Sequence, residues 1–221
     1  MDDRKAQLDA LIATLQRHGI HSARVLDAMR EVPRDAFVPH EIRDQAFVDT
    51  PLPIGEGQTI SQPYVVALMA EALALRGDER VLDVGTGSGY AAAILGRLAH
   101  EVHSVERVDS LARSAAARLA RLGFANVHVR IGDGTLGLPS LAPFDAISVA
   151  AGGPVIPRAL LTELAVGGRL VMPVGADPAA QALLLVTRHA EDQFEKRSLG
   201  DVFFVPLIGS EAWSSDDLRP R

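Results

Sequence analysis

Three glycines near the middle of the chain join an apolar segment to a helical one. They are Gly85, Gly87 and Gly89, within VLDVGTGSGY at residues 81–90. Glycine lets the backbone approach a ligand closely, so a turn of this kind between a strand and a helix is a candidate nucleotide site. A dinucleotide fingerprint needs its last glycine at position 90, where Tyr90 stands instead. Taken alone, the turn is also compatible with a strand–helix connection that binds nothing.

Three acidic residues accompany successive apolar segments. Asp83 lies two residues before Gly85, Glu106 comes 21 residues after that glycine, and Asp133 stands between Gly132 and Gly134. Because the carboxyl ends of parallel strands meet at one edge of a sheet, where ligands bind, we expect the three carboxylates to converge there. Glu106 can then accept hydrogen bonds from ribose hydroxyls, and Asp133 from an adenine amino group. A solvated charge for Glu106 and an ordinary turn for Asp133 stay open as alternatives.

The Asp83 carboxylate favours a ligand with a positive charge or an amine over a pyrophosphate. S-adenosylmethionine carries a sulfonium and an amino group and no phosphate, and the glycine turn with its three acids resembles the class I S-adenosylmethionine-dependent methyltransferases. Tyr90 and Asp83 argue against a nucleotide-binding oxidoreductase. The stretch TGSG at 86–89 lacks the first glycine of G-x-S-x-G, which argues against a serine hydrolase. The chain has no cysteine, and its seven histidines lack metal-ligand spacing, so we predict no metal site.

A second set of motifs is more specific than the glycine turn. The most specific is GQTISQP at residues 57–63. With the others it resembles the protein-L-isoaspartate O-methyltransferases, in one collinear order over about residues 25–209. The other matching stretches are VPRDAFVP (32–39), PLPIG (51–55), SVER (104–107), GDG (132–134), PFD (143–145), GGRLV (167–171), PVG (173–175) and FVPL (204–207).

That resemblance implies methyl transfer from S-adenosylmethionine to the free carboxylate of L-isoaspartyl residues in damaged proteins and peptides, which starts repair through a succinimide. It implies Ser61 as the catalytic residue and a substrate contact set of Thr59, Ser61, Val205 and Leu207. The implied cofactor-binding set is Ile60, Ser61, Asp83, Gly85, Thr86, Gly87, Glu106, Arg107, Asp133 and Gly134. Without the family, Ser61 can be read as a cap of the helix that begins near Pro63. Acceptance of D-aspartyl residues stays open, as does a dedicated biosynthetic peptide as the substrate.

Two positions depart from the family's pattern. Glu56, beside the substrate loop, stands where the family more often has histidine or tyrosine, and Ala151-Gly152-Gly153 replaces a more alanine-rich stretch. Neither position lies in the cofactor motifs. Glu56 brings a negative charge near an anionic substrate, so we expect it to influence peptide preference.

Composition restricts the remaining function classes. The chain has 221 residues, 48% of them apolar, and a formal net charge of -6. A net negative charge argues against an electrostatic hold on nucleic acid or on an anionic membrane. The first residues, MDDRK, lack the apolar core of a secretory signal, and no apolar run approaches the roughly 20 residues that span a bilayer. We therefore expect a soluble, cytoplasmic protein. The resemblance implies isoaspartyl-containing proteins and peptides as its partners, and we expect it to be a monomer.

The elements that position these residues follow from hydrophobic periodicity. Helices are predicted on both sides of Gly19, the second beginning at Ser22, and again from Pro63. Residues 51–63 are expected to form an ordered loop. Further helices are predicted at about 89–99, 109–122 and 157–164, and strands at 80–84, 101–105, 127–131, 144–149, 168–174, 181–188 and about 200–207.

This alternation predicts an α/β fold with a doubly wound, mostly parallel seven-stranded sheet. The final two strands are expected to pair as an antiparallel hairpin at the sheet edge. We expect one methyltransferase domain over 1–221. It divides into N-terminal helices and substrate loop (1–76), a cofactor-binding core (77–209) and a polar tail (210–221) with only Trp213 docked.

Overall fold

A computed structural model describes residues 2–214 and 216–217, and over those residues the chain forms six α-helices and nine strands. The helices are α1 (Asp2–Arg17), α2 (Ala23–Glu31), α3 (Pro63–Leu73), α4 (Tyr90–Leu98), α5 (Asp109–Arg121) and α6 (Arg158–Glu163). The strands are β1 (Leu52–Gly55), β2 (Gln58–Ile60), β3 (Arg80–Val84), β4 (Glu101–Glu106), β5 (Val127–Ile131), β6 (Phe144–Val149), β7 (Leu164–Asp177), β8 (Ala180–Ala190) and β9 (Gln193–Val202).

The last seven strands form one sheet in the order β5-β4-β3-β6-β7-β8-β9. Strands β3 to β7 pair in parallel, which confirms the predicted doubly wound architecture. Successive side chains of a strand point to opposite faces, so Val81 packs into one hydrophobic cluster and Leu82 into the other. Both are fully buried because helices cover the two faces. Strand order reverses beside β3, the position at which such sheets bind ligands.

The edge beyond β7 is antiparallel, as expected, but its last strand was misplaced. Strand β9 ends at Val202, whereas the sequence predicted a strand over about 200–207. The Gln181 side chain explains the difference, since its amide accepts from Phe204 N and donates to Phe204 O, both at 3.0 Å. The backbone of Phe204 is thus satisfied by a side chain instead of a strand partner. Residues after Val202 leave the sheet and cross to its carboxyl edge, where Val205 O accepts from Gly152 N at 2.9 Å.

The predicted loop at 51–63 is wrong in its central part, which forms the two-stranded antiparallel hairpin β1–β2. Leu52 pairs with Ile60, and both side chains are buried. Glu56 and Gly57 connect the strands and both have positive φ (52° and 67°), as the two-residue turns that fit the strand twist require. The hairpin therefore has a defined register and projects over the carboxyl edge of the main sheet.

The N-terminal helices agree with their predicted boundaries. The hydroxyl of Ser22 accepts from Val25 N at 3.4 Å and caps α2. In the tail, Trp213 docks as expected, since its Nε1 donates to Gly152 O at 3.2 Å, but the expectation that it alone docks is wrong, because Ser210 N donates to Asp133 Oδ2 and Glu211 N donates to Thr135 Oγ1. Residues 215 and 218–221 of the predicted tail lie outside the described residues. None of the helices in the described part of the chain combines the length and the apolar character needed to cross a bilayer.

Candidate active site

A cavity of about 870 Å³ opens at the carboxyl ends of β3, β4 and β6, beneath the β1–β2 hairpin. Of the site residues that were predicted from the sequence, all except Asp83 and Asp133 line this cavity. The predicted residues that line it are Thr59, Ile60, Ser61, Gly85, Thr86, Gly87, Glu106, Arg107, Gly134, Val205 and Leu207.

The glycine turn forms one wall of this cavity. Gly85 has φ 94° and Gly87 has φ 53°, conformations that L side chains rarely adopt. A Cβ added at Gly87 would lie 3.3 Å from Cδ1 of Ile54, on the hairpin above. The absence of a side chain at this position therefore lets the backbone face the cavity and lets the hairpin lie close to the turn.

Glu106 is held firmly at the end of β4. Its Oε2 accepts from Gly87 N at 2.8 Å, and its Oε1 accepts from Val108 N at 2.9 Å. The residue is buried, yet it lines the cavity. A carboxylate has about four acceptor positions, so two backbone donors leave capacity for ligand hydroxyl groups. The geometry favours a binding carboxylate over the solvated charge that the sequence left open.

Asp83 lies beneath the turn and outside the lining of the cavity. It is fully buried, its Oδ2 accepts from Ser104 Oγ at 2.6 Å, and Ser104 Oγ lies 2.6 Å from Thr86 Oγ1. Its Oδ1 has no hydrogen-bond partner. Burial raises the pKa of Asp83 to about 6, although the Ser104 hydrogen bond opposes the shift and nearby Glu106 adds to it. A direct cofactor contact for Asp83 stays a prediction.

The Asp133 carboxylate is already occupied by protein donors. Its Oδ1 accepts from Thr135 N and Oγ1 at 2.9 and 2.6 Å, and its Oδ2 accepts from Ser210 N at 2.8 Å. Burial acts to raise the pKa of Asp133, but these hydrogen bonds outweigh it and lower that pKa. The neighbouring Gly134 lines the cavity, and a Cβ there would lie 2.5 Å from Cγ1 of Val84. The adenine contact predicted for Asp133 stays a prediction.

Ser61 does not cap helix α3, which was the alternative to its predicted catalytic role. The N-cap residue is Gln62, and its side chain makes no capping hydrogen bond. Asp49 supports this helix end instead, because its Oδ1 accepts from Tyr64 N at 2.8 Å and its Oδ2 from Gln62 Nε2 at 3.0 Å. Within the described residues, no group hydrogen-bonds to the Ser61 hydroxyl. That hydroxyl is available to a ligand.

A second, larger cavity adjoins the first. It has a volume of about 1340 Å³ and shares Thr59, Ser61, Ala150 and Val205 with its neighbour. Away from these shared residues, it opens between helix α3 and the segment at 199–205. Ser61 therefore stands on the wall between the first cavity and the adjoining groove. Glu56, at the hairpin tip, lines neither space, and its Oε1 accepts from Ser110 Oγ at 2.8 Å.

Several lining residues were not predicted. Ala150 and Ala151 follow β6 at the same sheet edge as Gly85 and Glu106, so the strand-end rule could have found them. Tyr90 and Val66 come from helices whose orientation only tertiary packing decides. The lining residues missed by sequence reasoning are Gln58, Val66, Val84, Ser88, Tyr90, Ala91, Val105, Val108, Ala150, Ala151, Pro206 and Ile208.

The fold and the site together are those of the class I S-adenosylmethionine-dependent methyltransferases. They combine a doubly wound sheet, a glycine turn and a buried glutamate at the next strand end, without a dinucleotide fingerprint. The family model for protein-L-isoaspartate(D-aspartate) O-methyltransferase matches residues 6–212. The chain belongs to the protein-L-isoaspartate(D-aspartate) O-methyltransferase family.

Individual relatives agree with this assignment. The chain is 60% identical over 195 residues to protein-L-isoaspartate O-methyltransferase 2 of Marinobacter nauticus, which covers 88% of this chain and 89% of that protein. It is 57% identical over 217 residues to protein-L-isoaspartate O-methyltransferase 1 of Rhodopseudomonas palustris, with 98% and 89% covered.

Solved structures of the family share the fold. One protein-L-isoaspartate O-methyltransferase structure matches with a TM-score of 0.84 at 28% identity, covering 93% of this chain and 67% of that one. A Plasmodium falciparum protein described as a protein-L-isoaspartate O-methyltransferase, in complex with S-adenosyl-L-homocysteine, matches with a TM-score of 0.78 at 28% identity. That match covers 90% of this chain and 97% of that one.

Proposed function

We propose that this enzyme transfers a methyl group from S-adenosylmethionine to the free carboxylate of L-isoaspartyl residues in peptides and proteins. One observation carries the proposal beyond family membership. The unengaged hydroxyl of Ser61 stands on the wall shared by the first cavity, beside the glycine turn, and the adjoining groove. A donor at that position can hold an acceptor carboxylate from the groove against a methyl donor in the cavity.

The residues around the first cavity fit the proposed cofactor. Glu106 offers acceptor capacity to ribose hydroxyls, and Gly87 leaves space that a Cβ would fill between the turn and Ile54. Gly85, Thr86, Arg107 and Ile60 complete this part of the lining. We assign the adenine end to Asp133 and Gly134, and a supporting electrostatic role toward the cofactor's amino acid end to Asp83. The bound cofactor supplies an electrophilic methyl group to a nucleophile aligned with it.

The acceptor needs no strong general base. An aspartate-type carboxyl has an ordinary pKa near 4, so the group is already ionised at neutral pH. The task of the protein is to orient this anion and to exclude water without pairing it so tightly that it stops reacting. A neutral hydroxyl such as that of Ser61 suits this task, because hydrogen bonds to charged groups contribute only about 1.5–3 kcal/mol.

We assign the peptide backbone beside the isoaspartyl residue to Thr59, Val205 and Leu207. Thr59 and Val205 line both cavities, and the backbone of Val205 and Leu207 is fixed by hydrogen bonds to Gly152. Methylation gives the carboxyl carbon a better leaving group, methoxide. The neighbouring backbone amide nitrogen then attacks this carbon and expels methanol, which closes a succinimide ring, and hydrolysis of that ring returns part of the material to normal aspartate. The enzyme thereby starts the repair of damaged proteins.

Both cavities are lined by one chain, so we propose that a monomer is sufficient for activity. A net charge of -6 does not favour nucleic acid as a partner. Localisation in the cytoplasm stays an expectation from the sequence.

Methyl transfer from labelled S-adenosylmethionine tests the proposal with three matched peptides that differ only in one residue: L-isoaspartate, D-aspartate or L-aspartate. We expect base-labile label in the L-isoaspartyl peptide and none in the L-aspartyl peptide. Label in the D-aspartyl peptide would show that this enzyme also methylates D-aspartyl residues, the second substrate in the family's name. Absence of label in all three, in a protein that still binds S-adenosylhomocysteine, would refute the proposed substrate.

A further inference from the structure

The Arg34 side chain is a buried cation with an unusual set of partners. Its exposed fraction is 1%, and it forms no salt bridge with any residue in the described part of the chain. Its Nη1 donates to Ala46 O at 2.5 Å and to Val48 O at 3.4 Å, and its Nη2 donates to Thr50 O at 2.9 Å and Ser61 O at 3.1 Å. All four acceptors are backbone carbonyls.

Two of these carbonyls mark the base of the β1–β2 hairpin. Thr50 lies shortly before β1, and Ser61 follows the last residue of β2 directly. A single nitrogen of the guanidinium group therefore joins the two chain ends from which the hairpin projects. Leu52 pairs with Ile60 just above this point. The hairpin is closed at its base by Arg34 and, at its exposed tip, contacts α5 through Glu56 and Ser110.

Burying a charge without an acidic partner is costly, so the arrangement calls for an explanation. Asp49 attracts the Arg34 charge electrostatically, but it makes no hydrogen bond to Arg34 and its carboxylate accepts from Gln62 and Tyr64 instead. The planar guanidinium presents several donors in a rigid fork, which lysine cannot reproduce. Its carbon Cζ also lies 5.9 Å from the centre of the Tyr90 ring, a residue that lines the cofactor cavity. Arg34 thus connects the hairpin base to the cofactor wall.

We propose that Arg34 is a positioning residue for methyl transfer, which fixes the Ser61 hydroxyl between the two cavities by holding the backbone on both sides of the hairpin base. This inference rests on the role proposed above for Ser61. Arg34 lines neither cavity, so it acts through Ser61 and not on the substrate.

Arg188 offers a matched control. It also donates to four backbone carbonyls, those of Thr162, Leu164, Ala190 and Glu191, and its Cζ lies 5.5 Å from the centre of the Phe194 ring. It lies on β8 and lines neither cavity. Arg188→Met therefore removes a comparable carbonyl clamp at a place where no role in methyl transfer is proposed.

The test compares kcat, at saturating S-adenosylmethionine and isoaspartyl peptide, for wild type, Arg34→Lys, Ser61→Ala, the double variant and Arg188→Met. Small misplacements of reacting groups can cost on the order of 100-fold, so we expect Arg34→Lys to lower kcat about 10- to 100-fold. In the Ser61→Ala background the same substitution should cost less than about 3-fold, because residues that act through each other are not additive. Arg188→Met should leave kcat within about 2-fold of wild type.

Equal fold losses from Arg34→Lys in both backgrounds would overturn the inference, since a general structural defect is additive. A similar kcat loss in Arg188→Met would overturn it as well. The single variant Ser61→Ala tests the proposed role of Ser61 independently of Arg34. An unchanged kcat in Ser61→Ala would refute that role, whatever the result for Arg34→Lys. Arg34→Lys is the main test variant because it keeps the buried positive charge. Arg34→Met is measured as well if thermal unfolding shows that this variant folds.

Discussion

The two walls of the cofactor cavity are built in different ways. The turn wall, formed by the ends of β3 and β4, is buried and joined to the sheet, with Gly85 N donating to Val105 O and Glu106 accepting two backbone N–H groups. The hairpin wall, β1–β2, is held at its base by Arg34 and at its tip by one exposed hydrogen bond.

This difference separates two tasks. Groups for cofactor binding lie on the wall that the sheet makes rigid, whereas the hydroxyl proposed to hold the acceptor lies at the base of the less supported wall. Such a division predicts that substitutions on the turn wall change cofactor affinity and that substitutions on the hairpin wall change turnover. The following predictions test that division, in order of decreasing effect.

The largest effect is expected on the hairpin wall. Ser61→Ala should lower kcat for an isoaspartyl peptide about 10- to 100-fold, because a hydrogen bond to a charged group contributes about 1.5–3 kcal/mol. The dissociation constant of S-adenosylhomocysteine, measured by calorimetry, should change less than about 3-fold. Ser140→Ala, at an exposed residue that precedes β6 and lines neither cavity, is the control that should leave both quantities unchanged. Loss of cofactor binding together with turnover would contradict the division between the walls.

The turn wall should show the opposite pattern. Glu106→Gln keeps the shape of the side chain but removes the charge that favours hydroxyl donors, so the dissociation constant of S-adenosylhomocysteine should rise about 10-fold or more. At saturating cofactor, kcat should fall much less. Glu163→Gln is the control, since Glu163 is also buried and accepts a backbone N–H, that of Leu138, away from the cofactor cavity. Unchanged affinity in Glu106→Gln would remove Glu106 from the site.

Substitution of Asp83 tests whether the buried carboxylate beneath the turn wall lowers the free energy of unfolding of the protein. With its pKa raised to about 6, this group is protonated in the folded protein and ionised in the unfolded one between about pH 4 and 6. Its contribution to stability is therefore present at low pH and is lost as the pH rises through 6. A shift of about two units corresponds to at most about 3 kcal/mol.

Asp83→Asn removes the buried charge, although the new amide nitrogen takes the unpartnered Oδ1 position. We expect a net gain of about 1–2 kcal/mol in unfolding free energy at pH 8 that disappears toward pH 4, measured by denaturant unfolding across pH. Asp133→Asn should show the reverse, because the pKa of Asp133 is lowered and its stabilisation is lost as the pH falls. A destabilised Asp83→Asn at pH 8 would show that the charge itself supports the turn.

The smallest effect is expected at the hairpin tip. Glu56→Gln keeps an acceptor for Ser110 but removes the charge, and Glu56 lines neither cavity. Exposed charges contribute little at a distance, so KM values for isoaspartyl peptides with acidic and basic flanking residues should change less than about 3-fold. A larger change in the ratio of the two KM values would show that the tip reaches the bound peptide.

Local patterns predicted the turn wall well and the hairpin wall poorly. The bounds of β3, β5 and β6 agree with the sequence prediction because β3 and β6 are short, mostly apolar segments, β5 alternates apolar and polar residues, and each is followed by turn residues. Residues 51–63 were read as a loop because they contain two glycines and three prolines, and Glu56-Gly57 does not follow the Asn-Gly or Asp-Gly pattern that usually indicates a hairpin turn. The end of β9 was misplaced because the amide of Gln181, more than 20 residues away, satisfies Phe204.

By itself, the sequence determined the family, the order of strands and helices from α3 to β8, the glycine turn and Glu106 as a cavity residue. The family followed from the resemblance of motifs along the chain, and the other three depend on periodicity and spacing along the chain. Only the tertiary structure decided that Asp83 lies beneath the turn, that Gln62 and not Ser61 caps α3, and that Arg34 joins Thr50 to Ser61. These outcomes depend on burial and on hydrogen bonds between distant segments. No local pattern encodes such contacts, because a buried donor takes whichever carbonyls the folded chain brings to it.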